Sequence, residues 1–200
     1  MEYFIGTPAS TDTMWLHECA SVAQFCVGRG LDPGAGGRTL TPDVVRLDAN
    51  ATHRPAIRGS AITLPFADNV FDYVFTCHLL EHMRDPRAAL TEWLRVVRPG
   101  GHVACIMPNT LFTQGQNTDP TPHWHEWTPR DFLVEVLEEN ACPEYWFRYR
   151  NELAWVNATV VHFDEAQPHW SFGVVLEKDH GGGSIVAAGA VAHAGRDAPR

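Results

Sequence analysis

Several short stretches of this 200-residue sequence carry groups able to bind or react. Asp32-Pro33-Gly34-Ala35-Gly36-Gly37 is a glycine-rich turn, and glycine there lets backbone approach a ligand that a side chain would exclude. Asp48 ends the apolar stretch Val44-Val45-Arg46-Leu47, where a carboxylate can accept hydrogen bonds from ribose hydroxyls. His78-Leu79-Leu80-Glu81-His82 has the H-x-x-E-H spacing of a zinc peptidase, in which histidines one helical turn apart hold metal and the glutamate acts as base. His123-Trp124-His125-Glu126-Trp127 concentrates imidazoles, a carboxylate and indoles in one short loop. With an ordinary imidazole pKa near ~6.5, His123 or His125 is a candidate general base. The plainer alternative is that Trp124 and Trp127 are packing anchors and the histidines lie at the surface; a metal bound by the paired histidines and Glu126 is a lesser one. Glycine turns are common, so the first stretch is ambiguous alone.

These groups need a scaffold, and the apolar periodicity supplies one. Trp15, Cys19, Val22 and Cys26 fall on one face of a helix expected over 12–27, with Asp12 as N-cap. Its Trp15 face could cover a ligand, although such a stripe is more often core. Short strands are expected over 28–32, 44–48 and 56–58. Phe71-Asp72-Tyr73-Val74-Phe75-Thr76-Cys77 is apolar almost throughout, as befits a central strand covered on both faces. A helix over 78–83 follows, then another opened by Asp85-Pro86, with Leu90, Trp93, Leu94 and Val97 on one face and Arg98-Pro99-Gly100-Gly101 as its stop. A strand over 102–107 is closed by Pro108. Thr128-Pro129-Arg130-Asp131 opens a helix bearing Phe132, Val136 and Leu137 and ending at Asn140. Strands over 153–163 and 170–178 finish the pattern. Strands alternating with helices, then a terminal antiparallel pair, predict a three-layer α/β fold with a mostly parallel sheet.

One domain is expected over 1–179: the N-terminal helix 12–27, a binding core 28–108, and further segments with C-terminal strands over 109–179. Residues 180–200 lack periodicity and are expected to be disordered. Acids outnumber bases 24 to 15, for a net charge of −9, which argues against binding a phosphate backbone. The five cysteines form no CxxC pair, as in a protein of a reducing compartment. No run of 18 apolar residues and no basic leader is present, so a cytoplasmic protein that does not span a membrane is expected.

Taken together, the blocks resemble the class I methyltransferases, in particular the compact group with a methyltransferase type 11 domain. The resemblance rests on Gly30-Leu31-Asp32-Pro33-Gly34-Ala35-Gly36-Gly37, on Leu64-Pro65-Phe66-Ala67-Asp68-Asn69-Val70-Phe71-Asp72-Tyr73-Val74, on His78-Leu79-Leu80-Glu81-His82, and on Arg95-Val96-Val97-Arg98-Pro99-Gly100-Gly101-His102-Val103. It implies a Rossmann-like sheet with an antiparallel C-terminal strand, S-adenosyl-L-methionine as cofactor, and transfer of its methyl group to a small-molecule acceptor. By the same resemblance Asp32, Gly34, Ala35 and Gly36 hold the methionine moiety and Asp48 the ribose, with Ala49 also at the cofactor. Ser60, Ala61 and Ile62 flank the adenine, and Cys77 lies beside the cofactor. Asp72 and Pro99-Gly100-Gly101 are scaffold, and no metal site is expected, because His-x-x-Glu-His is ordinary in this block order.

The sequence departs from the family at particular places. Only Arg38 to Asp43 separate Gly37 from Val44, too few for the full helix usual there. Ser60 stands where relatives commonly carry an acid for the adenine amino group. Weakened cofactor binding, in a degenerate member without turnover, is therefore the main alternative. A nicotinamide-dependent oxidoreductase is disfavoured because Arg38 and Thr39 intrude on the strict GxGxxG spacing.

Overall fold

The computed structural model describes residues 10–113, 123–137, 151–153, 155–164 and 170–180. Its strands are β1 Gly30–Pro33, β2 Val45–Asp48, β3 Ile57–Arg58, β4 Phe71–Cys77, β5 Val97–Pro108, β6 Asn151–Glu152, β7 Ala158–Asp164 and β8 Ser171–Lys178. They form one eight-stranded sheet in the order β3-β2-β1-β4-β5-β8-β7-β6. The pairs from β3 to β5 are parallel, and those linking β5, β8, β7 and β6 are antiparallel.

Alternation along the central strands assigns each side chain to one of two apolar layers. Tyr73 and Phe75 of β4, Ala104 and Ile106 of β5, and Val175 of β8 pack beneath α1, Ser10–Ala23, through its Trp15, Cys19 and Val22. Val74, Val103, Cys105, Met107, Phe172, Val174 and Leu176 face the other way. They meet Leu90, Trp93 and Leu94 of α2, Pro86–Val96, and Phe132 of a later helix. Helix–sheet–helix layering is thus the three-layer arrangement that the sequence pattern predicts.

Helix α2 begins where its sequence says it should: the Asp85 side chain accepts from the Ala88 amide, and Pro86 takes the first turn, where no N–H is needed. The expected helix over 12–27 stops at Ala23, because Phe25 and Cys26 donate to Val22 and Ala23 in tighter turns that lead to Gly28 at φ +97°. The expected helix over 78–83 shrinks to one 3-10 turn, Leu80–His82. His78 stays tied to the sheet through its amide bond to Ile106 O, at a left-handed φ of +54°, so no helix can start there. The stop at Arg98 to Gly101 lies inside β5 as an irregularity in its pairing with β4.

A short helix α3, Thr110–Thr113, follows β5. The helix expected from Thr128 does open with a reciprocal capping box between Thr128 and Asp131. It runs as α4, Pro129–Phe132, and then widens into a π turn, Leu133–Leu137. There Arg87 takes hydrogen bonds to the carbonyls of Val136 and Glu135. Its expected end at Asn140, and the tail 181–200, lie outside the described residues.

The loop 64–69 is clamped by one guanidinium. Arg95 donates to Leu64 O, Phe66 O, Asp68 and Glu92, while Glu92 accepts from the Leu64 amide. Asp72 is scaffold too, accepting from the Arg29 amide and from Arg98. Among the described residues, no helix is long and apolar enough to cross a membrane.

Candidate active site

Strand order reverses between β1 and β4, and the C-terminal ends of β1, β2 and β4 diverge there around a cavity of about 970 Å³. In open α/β sheets a crevice at such a switch point is where ligands bind. Asp32, Gly34, Ala35, Gly36, Asp48, Ala49, Ser60, Ala61 and Cys77 all line it, as do Trp15, His53, Ile62, His78, Leu79 and His82.

The glycine-rich turn is held by β2. The amides of Gly34 and Ala35 both donate to Leu47 O, at 2.7 and 3.3 Å, and the Gly36 amide donates to Asp48 Oδ2 at 2.9 Å. Arg46 completes the clamp by donating to Gly36 O and His53 O. These bonds do the work of the helix that usually follows such a turn. The short link after Gly37 contains no helix; instead its Leu40 and Val44 side chains are buried against the sheet, and Thr41 hydrogen-bonds the Tyr73 hydroxyl. The link thus covers the core with side chains directly.

Gly34 sits at φ +141°, and a Cβ there would stand 2.6 Å from Leu79 Cδ2. Gly36 sits at φ +52° beside open space. Trp93 secures the opposite wall, its Nε1–H donating to Ala61 O at 2.8 Å.

Charge in the cavity is sharply divided. Asp32 is only 4% exposed and its carboxyl has no hydrogen-bond partner among the described residues. Burial drives its pKa well up; Arg46 opposes the shift and Asp48 adds to it. Asp48 behaves in the opposite way. Burial works against its charge, but His53 at 2.9 Å and the amides of Asn50 and Gly36 overcome this and hold its pKa below the usual value. Three of the roughly four acceptor positions of its carboxylate are therefore in use.

Cys77 is a neutral wall group, because a hydrogen bond with the Cys19 thiol and its burial both raise the thiol pKa far above the ordinary value. His78 lies between Glu18 at 3.4 Å and Glu81 at 3.6 Å. Burial disfavours its charge, yet the Glu18 and Glu81 carboxylates beside it outweigh that and raise its pKa.

The expected catalytic pair is placed differently. Neither His123 nor His125 lines the cavity. His123 packs edge-on against His82, with ring centroids 4.6 Å apart, and so meets the cavity through that wall residue. His125 stacks on Trp127 at 4.7 Å. Trp127 is a buried anchor, whereas Trp124 is exposed and lies under Arg84. Sequence reasoning weighed His78 and His82 only as zinc ligands on a helix and missed them as cavity histidines. The signal available was their position just past a buried strand. Without that helix the two do not share a cluster: His78 groups with Glu18 and Cys77, and His82 with Glu81 and His123.

A family model described as a methyltransferase domain matches residues 35–105, from the second half of the turn through β2, β3, β4 and α2 to most of β5. An uncharacterised methyltransferase of Schizosaccharomyces pombe is 55% identical over 47 residues, 24% of this chain and 17% of that protein. The chain thus matches only a small share of that relative's length.

Among solved structures, a chain from the Haloferax volcanii complex with the Trm112 methyltransferase activator superposes with a TM-score of 0.60 at 16% identity, covering 84% of this chain and 92% of that one. The cyclase SpnF superposes at 0.58 with 13% identity, covering 90% and 86%. A likeness this remote speaks for the fold and leaves the reaction to the site. The matched segment and the sheet topology agree with one another: residues 35–105 match a methyltransferase domain, and the sheet has the Rossmann-like methyltransferase fold.

Proposed function

We propose that this protein transfers the methyl group of S-adenosylmethionine to a small-molecule acceptor. The observation that carries the reading is the buried, unpartnered Asp32 carboxyl at the foot of a cavity lined by the glycine turn, Asp48 and the Ser60–Ile62 wall. A buried carboxyl with no hydrogen-bond or ion-pair partner among the described residues suits a ligand bearing an ammonium and a sulfonium, whose approach favours its ionised form. The cavity lies at the upper end of the usual range for small-ligand sites, about 300–1,000 Å³, consistent with holding a nucleoside and part of an acceptor.

The cofactor supplies a methyl group that is already activated, so the residues of the chain must position a nucleophile and exclude water. In this reading Asp32 holds the amino-acid end and Asp48 accepts from the ribose. With His53 in place Asp48 has room for one further hydrogen bond, and for two when the His53 ring swings out. Trp15, Phe75 and Met83 supply apolar wall around the cavity. Any acceptor proton or anionic oxygen meets His78 and His82, and His123 acts through His82. The basic role expected of His123 and His125 thereby passes to histidines of the wall.

The test is calorimetric titration with S-adenosylmethionine and S-adenosylhomocysteine. Binding is expected, and Asp48→Ala should weaken it about 10- to 150-fold, the worth of charged hydrogen bonds of about 1.5–3 kcal/mol. No binding at millimolar cofactor overturns the proposal. The crowding of Asp48 favours a second reading, a member whose cofactor site is closed by His53. In that case His53→Ala tightens binding, whereas in the first reading it leaves binding equal or weaker.

A further inference from the structure

We infer that Glu81, His82 and His123 form a binding site for a divalent transition-metal ion at the edge of the cavity. Their ligand atoms all lie within 4.8 Å of one another. Donors around a tetrahedral ion, each at about 2.0–2.2 Å, are separated by about 3.3–3.6 Å, so closing the set needs only side-chain adjustment.

Glu81 supplies the independent evidence. It is 1% exposed, and both carboxylate oxygens are buried without a hydrogen-bond partner. His78 Nδ1 stands 3.6 Å from Oε1, beyond a normal hydrogen bond. A buried carboxylate in that condition is costly unless something positive completes it.

The backbone brings the third ligand to it. The amides of Trp124 and His125 both donate to Glu81 O, at 2.9 and 3.2 Å, which pins the segment carrying His123 against the Glu81 turn. His82, next in the chain, contributes the second imidazole and is itself a cavity wall residue. Glu81–His82 closes the turn after β4, and His123 arrives from beyond β5, so the site exists only in the folded chain.

Two imidazoles and one carboxylate suit zinc or a neighbouring first-row ion better than magnesium, which prefers oxygen ligands. Three protein ligands leave a coordination position open, the pattern of sites where the metal meets a substrate. Because His82 belongs to both cluster and cavity, that position is available to an oxygen or thiol of a bound acceptor. This last step rests on the methyltransferase reading; the metal site does not.

The ligand set differs from the H-x-x-E-H arrangement of the sequence. His78 is replaced by His123, because the 78–82 segment is not helical.

The experiment is titration of the metal-stripped full chain with Zn²⁺, and with Co²⁺ followed by its visible ligand-field absorption. Mg²⁺ serves as the comparison, and circular dichroism checks each variant's fold. One equivalent is expected to bind, with Zn²⁺ raising the unfolding temperature. Glu81→Gln, His82→Asn and His123→Ala should each weaken binding by more than about 100-fold, beyond the 10- to 100-fold loss typical of groups outside the ligand set. His78→Asn should leave the affinity within a few-fold.

Absence of Zn²⁺ and Co²⁺ binding by the folded chain overturns the proposal. So does binding that survives Glu81→Gln and His123→Ala, or that is lost in His78→Asn, which would locate the ion at Glu18, Cys77 and His78. S-adenosylmethionine titrated without metal reports separately on the methyltransferase reading.

Discussion

Replacing Asp32 by Asn separates the electrostatic role of this carboxyl from its shape. The side chain is 4% exposed, and burial raises its pKa well above the ordinary value, with Asp48 adding to the shift and Arg46 opposing it. A carboxyl whose folded pKa lies above its unfolded value of about 3.9 retains its proton longer in the folded state. Its contribution is fully present below the unfolded pKa and is lost as pH rises through the folded one. Between those values wild-type stability falls by up to about 1.4 kcal/mol per pH unit from this group alone.

Asn carries no such dependence. Asp32→Asn should therefore gain on the wild type steadily as pH rises from about 4 toward neutrality, in urea unfolding with unchanged m-value. Asp48 is depressed and so has the opposite slope, but both proteins retain it, and most of its effect cancels in the difference. Parallel curves for the two proteins would refute the reasoning, as would a wild type that gains on the variant with pH.

The ligand arm carries the same logic. If Asp32 must ionise to receive a cation, S-adenosylmethionine binding releases a proton at any pH where the free site keeps it, seen as heat that varies with the ionisation enthalpy of the buffer. Asp32→Asn should bind more weakly, by about 1.5–3 kcal/mol, and release no proton.

Gly34→Ala forces a left-handed residue and drives Leu79 toward the cavity, so unfolding measurements should show a loss of about 1–3 kcal/mol together with weaker cofactor binding. Gly36→Ala, beside open space, should show the backbone cost of about 1–2 kcal/mol alone. Trp93→Phe removes the Nε1–H bond to Ala61 O, and should cost about 1 kcal/mol or somewhat more in denaturant unfolding and loosen the Ser60–Ile62 wall. Thr128→Ala breaks the capping box of α4, for about 0.5–2 kcal/mol in stability, with little change in cofactor affinity because α4 does not line the cavity.

Much is legible in the sequence, for reasons that are local. Phe71 to Cys77 reads as a central strand because its residues are apolar on both faces. Asp85-Pro86 and Thr128 to Asp131 read as helix starts because capping is settled within one turn. The glycine turn and Asp48 were recognisable because each falls at the end of a strand, and strand ends in a parallel sheet converge on one crevice. The helix over 78–83 was misread because H-x-x-E-H has helical spacing, whereas the His78 amide remains committed to β5, a partner distant in sequence.

The sequence by itself therefore determined the order of elements, through periodicity, caps and turns, and, through the family resemblance, part of the rim of the switch-point crevice. Only the tertiary structure decided what those residues face: that the turn's amides go to Leu47 and Asp48, that His53 caps Asp48, and that Glu81 is buried beside His82 and His123. Such pairings depend on contacts between segments far apart in the chain, and no local spacing encodes them.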